Sequence, residues 1–185
     1  MNTSTIKTTF STKNLVLVGL FTAITCILAP FSIPIPISPV PISLTNLVLY
    51  ISIFILGWKL ATLSYTVYVF LGLIGLPVFS GFTGGPSKLA GPTGGYLIGF
   101  FFLIIIAGIF IEKFKGKKVL YITGMVLGTI ICYLFGTLWL SMQLSMSFIQ
   151  GLTIGVFPYI IGDSVKIIIA MFLGPILTTR LKNIR

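Results

Sequence analysis

Six apolar runs, separated by short segments rich in Gly, Pro or basic residues, constrain the fold more than any other feature of this sequence. The runs cover residues 15–29, 42–57, 60–76, 93–111, 119–140 and 152–177. A bilayer about 30 Å thick requires about 20 helical residues per crossing, and the runs approach or reach that length. Only 8% of the 185 residues are charged, whereas soluble domains carry about 25%. The sequence therefore predicts an all-α integral membrane protein, a six-transmembrane-helix bundle forming one membrane domain over residues 1–185.

The segments between the runs predict three distinct connections. Residues 30–41 alternate five prolines with Ile and Val, which predicts an extended, polyproline-like connection between the first two spans. Residues 77–92 hold too many Gly and Pro residues for a regular helix and predict a structured loop between the third and fourth spans. A polar connection is predicted over residues 141–151, and Pro158 is expected to kink the sixth span.

Small residues at helical spacing predict two close-packing faces. Gly124, Gly128 and Gly136 lie four and eight residues apart in the fifth span, so they share one face. Gly19 and Ala23 form a small-xxx-small pair in the first span, a pattern that lets another helix approach closely. Ordinary contact with lipid remains an alternative for this second pair.

The basic residues predict the topology. The net charge is +10, with 12 Lys and Arg against two acids, and the basic residues cluster at the ends of apolar runs. By the positive-inside rule, both termini and the basic loops are cytoplasmic. The protein is then a multi-pass protein of the cell membrane, and the 77–92 loop is on the outer face. The residues that carry this prediction are Lys7, Lys13, Lys59, Lys113, Lys115, Lys117, Lys118, Arg180, Lys182 and Arg185.

Several classes of site are disfavoured by composition. In a soluble protein this positive charge would suggest nucleic acid, but here it follows the membrane topology, so no nucleic-acid partner is expected. The chain has no His, and Cys26 and Cys132 each lie inside an apolar run. We therefore expect neither a disulfide nor a metal site, and no cofactor. The polar first residues also lack a signal-peptide pattern.

Asp163 and Lys166 are the acid and base within an apolar run, three residues apart on one helical face. Charges in a membrane segment are costly and normally face a cavity or a partner. They either form an internal ion pair that closes the packing or line a pocket. In the pocket, Lys166 would attract a carboxylate and Asp163 would accept hydrogen bonds from ligand N–H groups. Lys88, in the outer loop, is either a solvated lysine or a second cation over an anionic ligand.

One run of residues resembles a known family. The segment Leu89–Phe100 reads Leu-x-Gly-Pro-Thr-Gly-Gly-Tyr-Leu-x-Gly-Phe and follows Gly-Leu-Pro-Val-Phe at Gly75–Phe79. With Val40-Pro41-Ile42 and Gly162-Asp163-x-x-Lys166, this resembles the BioY family. These proteins are the membrane-embedded, substrate-binding S components of energy-coupling-factor (ECF) biotin transporters. The resemblance covers most of the chain.

The resemblance implies that the protein captures biotin as the transported ligand. It also implies that the protein works with a transmembrane coupling subunit, for which Gly19 and Ala23 form the candidate contact, and with two cytoplasmic ATPases. Thr45 stands where the family pattern has Gln, with Asn46 beside it, which puts an amide contact there in doubt. Tyr68, Phe82 and Trp139 are further aromatic residues able to pack against a fused ring. The predicted binding residues are Asp163, Lys166, Lys88, Thr83, Thr93, Gly94, Gly95, Tyr96 and Phe79.

Three other functions remain open from the residues. The chain has no phosphate-binding Gly-x-x-x-x-Gly-Lys-Ser/Thr motif, so it is not expected to hydrolyse ATP itself. An S component for another small vitamin would share these features. A membrane-embedded enzyme would have to use Asp163 or Lys166, with no His and few acids to assist. A channel would be expected to show polar rings on several spans, but only the sixth carries internal charges.

Overall fold

The computed structural model describes the backbone of residues 11–183 and the side chains of residues 11–181. Lys7, Arg185 and the side chain of Lys182, which contribute to the predicted topology, lie outside the described residues. The helices are α1 (Thr12–Leu28), α2 (Thr45–Leu56), α3 (Trp58–Leu73), α4 (Pro86–Ala90), α5 (Gly94–Lys113), α6 (Lys118–Gln143), α7 (Phe148–Gly155) and α8 (Ile160–Asn183). The strands are β1 (Ser32–Ile35) and β2 (Ser38–Ser43), and Phe157–Tyr159 form a 3₁₀ turn.

The structure is the helical bundle that the sequence predicts, with six main helical segments when α7 and α8 are taken as one broken segment. Three segments are long and apolar enough to cross a membrane, namely Gly94–Lys113, Lys118–Gln143 and Phe148–Leu181. Helices α1 and α2 are apolar but shorter. The side chains that point outward from the bundle are largely aliphatic and aromatic, as expected for a surface that faces lipid rather than water.

The predicted polyproline-like connection is wrong in detail, because residues 32–43 form an antiparallel hairpin. Ser32 pairs with Ser43 and Ile33 with Ile42, and the register shifts between Ile33 and Ile35. That shift falls at Pro34, which has no N–H to give to the ladder. A two-stranded sheet consists entirely of edge strands, where proline is tolerated. The alternation of Pro with Ile and Val therefore produces strands here.

The predicted glycine face of the fifth span is confirmed as the contact between α6 and α5. A Cβ built on Gly128 would lie 3.0 Å from the carbonyl oxygen of Leu103, and one on Gly136 would lie 2.3 Å from the ring of Tyr96. Gly124 likewise sits against Phe110. Without these side chains the two helices approach closely, which maximises dispersion contacts where lipid offers no hydrophobic driving force.

The predicted break at Pro158 is present. Helix α7 ends at Gly155, the 3₁₀ turn contains Pro158, and α8 begins at Ile160. The predicted polar connection over 141–151 is shorter than expected, since α6 continues to Gln143 and α7 begins at Phe148. A capping box starts α7: the Ser147 hydroxyl accepts from the Gln150 N–H, and the Gln150 side chain accepts from the Ser147 N–H.

The Gly/Pro-rich loop folds against the ends of α1 and α3. The Gly81 N–H donates to the Pro30 carbonyl at 3.0 Å, which ties the loop to the end of the first span. The fully buried Phe79 ring packs on Gly72, where an added Cβ would meet it at 2.1 Å. The loop also contains the short helix α4, which the density of Gly and Pro did not predict.

Candidate binding site

A cavity opens between the hairpin, the Gly/Pro-rich loop and the helices α2, α5, α6 and α8. The free volume inside it is about 80 Å³, and the space continues to an open mouth. Most of the wall is apolar, and polar groups converge on it from several elements. Its polar and charged lining residues are Ser43, Thr45, Asn46, Ser80, Lys88, Thr93, Thr129, Asp163 and Lys166, together with the tyrosines Tyr68, Tyr96, Tyr133 and Tyr159.

Asp163 and Lys166 form an ion pair in this wall. The Lys166 Nζ lies 2.9 Å from Asp163 Oδ1, and both side chains are largely buried. They project from the first two turns of α8, directly after the Pro158 break. The structure therefore shows both features that the sequence left as alternatives, an internal ion pair and a position on a cavity.

The ammonium group of Lys166 already has a partner for each of its hydrogens. It donates to the Ser43 carbonyl at 2.7 Å, to Asn46 Oδ1 at 3.1 Å and to Asp163 Oδ1 at 2.9 Å. An ammonium has three N–H donors, so a ligand would have to replace one of these acceptors to bind Lys166 directly. Lys166 thus joins the end of β2 and the start of α2 to α8.

The carboxylate of Asp163 keeps unused acceptor capacity. Its Oδ1 accepts from Lys166, and its Oδ2 accepts from the Tyr133 hydroxyl at 2.6 Å. A carboxylate has about four lone-pair sites, so each oxygen can accept once more. In a largely buried setting, such a group favours a ligand that brings N–H donors.

Asn46 provides a donor beside this acceptor. Its side chain is only 4% exposed and lines the cavity. Because Oδ1 accepts from Lys166, the amide nitrogen points the other way, and it has no acceptor among the described residues. The amide contact that the sequence left in doubt is therefore available from Asn46, next to Thr45, whose hydroxyl accepts from Ser43 Oγ at 3.0 Å.

Lys88 reaches the cavity from α4 and is half-buried. Within the part of the chain that the structure describes, its ammonium has neither an ion-pair partner nor a hydrogen-bond acceptor. Burial lowers the pKa of Lys88 from its ordinary value, because low-dielectric surroundings disfavour the charged form. Thr93 also lines the cavity at the N-cap position of α5, where its side chain makes no capping bond.

Aromatic rings form the apolar wall. Phe79 meets the Tyr68 ring edge-on, with 5.6 Å between centroids. Two tyrosines of this wall donate hydroxyl hydrogen bonds to backbone carbonyls: Tyr68 donates to Val78 at 3.1 Å and Tyr96 to Gly155 at 2.8 Å. The Tyr68 and Tyr96 rings are therefore each fixed at two ends, which gives a rigid apolar surface suited to a ring-shaped ligand.

Three predicted binding residues lie outside the cavity lining. The Thr83 hydroxyl donates to the Ser80 carbonyl at 3.0 Å on the exposed part of the loop. Gly94 and Gly95 are packing positions, where an added Cβ would meet the Leu89 carbonyl oxygen at 1.7 Å and Trp139 at 2.3 Å. The other six, Asp163, Lys166, Lys88, Thr93, Tyr96 and Phe79, line the cavity together.

Of the remaining aromatic candidates, one lines the cavity and two lie outside it. Tyr68 lines the cavity, whereas Phe82 is exposed and packs edge-on against Phe31. The Trp139 indole donates to the Gly91 carbonyl at 2.9 Å, which fixes the turn before α5. Composition alone could not separate these residues, since each is an aromatic side chain near a membrane interface.

Two tyrosines of the site, Tyr133 and Tyr159, have no sequence signal that separates them from other membrane aromatics. Tyr133 contacts Asp163, as described above. The Tyr159 hydroxyl lies 2.8 Å from Ser38 Oγ and also donates to the Val40 carbonyl, so it ties the hairpin to the Pro158 break. Both contacts join residues that are distant in sequence.

Gly19 and Ala23 lie on the outer surface of α1, away from the cavity. Both are exposed, and a Cβ on Gly19 would have no atom within 4 Å. The opposite face of α1 is occupied, since the Thr22 hydroxyl contacts Ser64 of α3 at 3.1 Å. The small-residue pair is therefore open to a further helix or to lipid.

The cavity residues do not resemble a metal centre. Among the described residues, no group of three or more His, Cys, Asp or Glu side chains comes together. The acceptors at the cavity are a single carboxylate and a few amide and hydroxyl oxygens. This donor set suits an organic ligand rather than a transition metal.

Comparison with known proteins agrees with this geometry. A model of the BioY family matches residues 1–183. A probable biotin transporter BioY from Pyrococcus horikoshii is 38% identical over 163 residues, covering 88% of this chain and 94% of the relative. The biotin transporter BioY of Thermotoga maritima is 35% identical over 162 residues, with coverage of 88% and 94%.

A solved structure extends the match to three dimensions. The crystal structure of the S-component for biotin from an ECF-type ABC transporter aligns with a TM-score of 0.85 at 32% identity, covering 91% of this chain and 92% of that one. Because the family model spans nearly the whole sequence and these relatives match over most of both lengths, this chain belongs to the BioY family.

Proposed function

We propose that the protein is the substrate-binding S component of an ECF transporter and captures biotin at the outer face of the membrane. The observation that carries the proposal is the cavity in which a carboxylate acceptor, an amide donor and an unpaired lysine meet an aromatic wall. Biotin needs this set, because it combines a cyclic urea, an apolar thioether ring and a carboxylate on an alkyl chain.

Each polar group has a partner on the ligand. Asp163 accepts a hydrogen bond from a urea N–H, through the lone pairs that Lys166 and Tyr133 leave free. Asn46 donates its amide hydrogens to the urea oxygen. The rings of Phe79, Tyr68 and Tyr96 cover the bicyclic core.

The ligand carboxylate is assigned mainly to Lys88. This lysine faces the cavity without a partner among the described residues, whereas Lys166 already donates to three acceptors. Lys166 contributes positive charge to the site and holds Asp163 in place. Thr93 adds a hydroxyl at the N-terminus of α5 that makes no capping bond and lines the cavity.

Uptake requires partner subunits in this proposal. The solved neighbour is the S-component of an ECF-type ABC transporter, and the present sequence has no phosphate-binding motif. We propose that a transmembrane coupling subunit docks on the Gly19/Ala23 face and that two cytoplasmic ATPases supply the energy. The chain is placed as one membrane domain in the cell membrane, with both termini cytoplasmic, on the basis of its Lys/Arg asymmetry.

The alternatives are weaker on specific grounds. An enzyme would need Asp163 or Lys166 free to act, yet these two side chains are paired with each other. The other acid of the chain, Glu112, accepts from the Trp58 N–H at the start of α3. An S component for another vitamin would keep the fold but needs other partners for Asp163 and Asn46. Competition binding with a panel of vitamins distinguishes this alternative from biotin binding.

The test is binding by the purified chain in detergent, without ATP and without other subunits. Biotin should give saturable binding, while riboflavin and thiamine should not compete. A chain that is folded by thermal unfolding and shows no saturable biotin binding would overturn the proposed function. Competition by another vitamin at lower concentration than biotin would instead reassign the ligand.

A further inference from the structure

One hydrogen bond, from Tyr133 to Asp163, links two helices that line the cavity. It joins α6 to α8 with 2.6 Å between the two oxygens. Among the residues that the structure describes, no other hydrogen bond joins these two helices. The contact is charge-assisted and short, which places it among the stronger hydrogen bonds of proteins.

A second cavity lies on the other side of this contact. It is a groove of about 310 Å³ on the lipid-facing side of α6, α7 and α8, and Thr129, Tyr133 and Asp163 line both spaces. The rest of the groove is almost entirely apolar, including Val126, Ile130, Leu134, Val156, Ile160 and Ile167. Tyr133 and Asp163 therefore form part of the wall that separates the binding cavity from the groove.

This position makes the orientation of Asp163 dependent on its neighbours. The terminal torsion of an Asp side chain is broad, so packing alone does not fix the carboxylate plane. Here one oxygen is fixed by Lys166 on the same helix and the other by Tyr133 on a different helix. Fixing both oxygens before the ligand arrives removes an ordering cost from binding.

We propose that Tyr133 is a positioning residue that holds the Asp163 carboxylate towards the binding cavity and thereby sets selectivity for ligands with a urea-type N–H donor. This inference rests on the proposed role of Asp163 in binding biotin. It assigns to a residue of α6 a share in ligand recognition without requiring that it touch the ligand.

The sequence offers a direct probe, because Asp163 is the only aspartate in the chain. Protein labelled with ¹³C at the aspartate side-chain carboxyl gives a single carboxyl signal that can be followed by NMR or infrared spectroscopy. We would compare the parent with Tyr133→Phe, which keeps the ring in the wall and removes only the hydroxyl. Tyr65→Phe is the matched control, since the buried Tyr65 hydroxyl donates to the Leu97 carbonyl and does not reach Asp163.

The expected result has a spectroscopic and a binding part. In ligand-free protein, Tyr133→Phe should shift the carboxyl signal, whereas Tyr65→Phe should leave it unchanged. Biotin affinity should fall by about tenfold in Tyr133→Phe. Binding of a biotin analogue methylated on both urea nitrogens should hardly change, so the preference for biotin over this analogue falls by a similar factor. A merely loosened cavity would weaken both ligands equally.

A double-mutant cycle supplies the second measurement. In an Asp163→Asn background, adding Tyr133→Phe should have little further effect on biotin affinity, because the two residues act through one contact. The inference is overturned if the parent binds biotin and Tyr133→Phe leaves either the carboxyl signal or the ligand preference unchanged. Additive effects in the cycle would also overturn it. Failure of the parent itself to bind biotin would overturn the proposed function and the inference with it.

Discussion

Helix α6 contacts α5 and α8 in opposite ways. Towards α5 it presents Gly124, Gly128 and Gly136, and the contact is so close that an added Cβ would overlap or crowd the neighbouring helix at each position. Towards α8 it presents Tyr133, whose hydroxyl reaches Asp163 across a wall with open space on both sides. The first contact depends on the absence of side chains, whereas the second includes a hydrogen bond between polar side chains.

The difference shows how one helix serves both folding and binding. Close packing of small residues stabilises helix association in lipid, where burial of apolar groups gives no driving force. Such a contact leaves no space for a ligand. A polar contact beside a cavity leaves space and offers hydrogen-bonding groups, but it must be satisfied internally because no water is available in the bilayer core. On α6 the cavity is therefore lined by Thr129, Cys132 and Tyr133 and by none of the three packing glycines.

The largest effect on biotin affinity is expected from substitutions at the Asp163–Lys166 ion pair. The double variant Asp163→Asn with Lys166→Met removes both charges at once and so leaves neither unpaired in the wall. We expect a folded protein whose biotin affinity is lower by about 10- to 100-fold, from loss of the charged acceptor for a urea N–H, at about 1.5–3 kcal/mol for one charged hydrogen bond. Equilibrium binding and thermal unfolding of the same preparation measure the two effects.

The single variant Lys166→Ala serves as the comparison. It leaves the Asp163 carboxylate without its ion-pair partner, and should lower stability as well as affinity. The assignment of this pair to ligand binding would be falsified by a stable double variant that binds biotin within a few-fold of the parent. In that case the ion pair serves packing alone.

Substitution on the glycine face of α6 should mainly lower the stability of the protein. Gly136→Leu would place side-chain atoms where the Tyr96 ring lies, and that ring cannot move easily because its hydroxyl is bonded to the Gly155 carbonyl. Overpacking of this kind costs about 1–3 kcal/mol. Thermal unfolding in detergent should show a clear drop in Tm.

Gly19→Leu is the matched control for that change. It introduces the same side chain on a helix, at a position with no atom within 4 Å of the added Cβ. Its stability should stay within about 0.5 kcal/mol of the parent, as for surface substitutions in general. Because leucine has a higher helix propensity than glycine, equal destabilisation by both variants would show that the added side chain itself, rather than the close α5–α6 contact, determines the cost.

The two sides of α6 also differ in how far the sequence could predict them. The glycine face follows from spacing within one helix, so Gly124, Gly128 and Gly136 could be identified directly. Asp163 and Lys166 were visible because charges inside an apolar run are rare. Tyr133 was not, since its role comes from a contact with a residue 30 positions away and its type is common in membrane helices.

The dependence on residues distant in sequence also explains why the hairpin and the role of two glycines could not be predicted. Proline alternation over residues 30–41 fits polyproline and edge strand equally, and only pairing of Ser32 with Ser43 decides between them. Gly94 and Gly95 belong to the run that resembles the BioY family, but glycine serves equally to line a ligand site and to admit a neighbouring helix. Here the neighbours are Leu89 and Trp139, which sequence alone could not place.

A smaller effect is expected at Lys88, on the edge of the cavity. Lys88→Met should weaken biotin binding by about tenfold, the loss of one charge-assisted contact at a half-buried site. Biotin amide, which lacks the carboxylate charge, should bind the parent and the variant almost equally. If biotin and its amide are affected alike, Lys88 does not recognise the carboxylate.

Binding should also depend on pH through the same residue. Burial lowers the pKa of Lys88, and the protonated form is the one that attracts an anion. Biotin affinity should therefore fall as the pH rises through this lowered pKa, at a lower pH than for a solvated lysine. Lys88→Arg should remove the decline, because arginine stays charged. An identical decline in Lys88→Arg would assign it to another group.

The smallest effect on the isolated chain is expected at the open face of α1. Gly19→Trp fills a position with no neighbour within 4 Å, so stability and biotin binding should stay near the parent values. In the complete transporter, the bulky side chain should prevent close approach of the coupling subunit and reduce co-purification. Ile168→Trp is the control, because Ile168 is 54% exposed on α8, at a comparable outward position. Reduced co-purification in Gly19→Trp alone supports docking on the Gly19/Ala23 face, whereas unchanged assembly would mean that this face contacts only lipid.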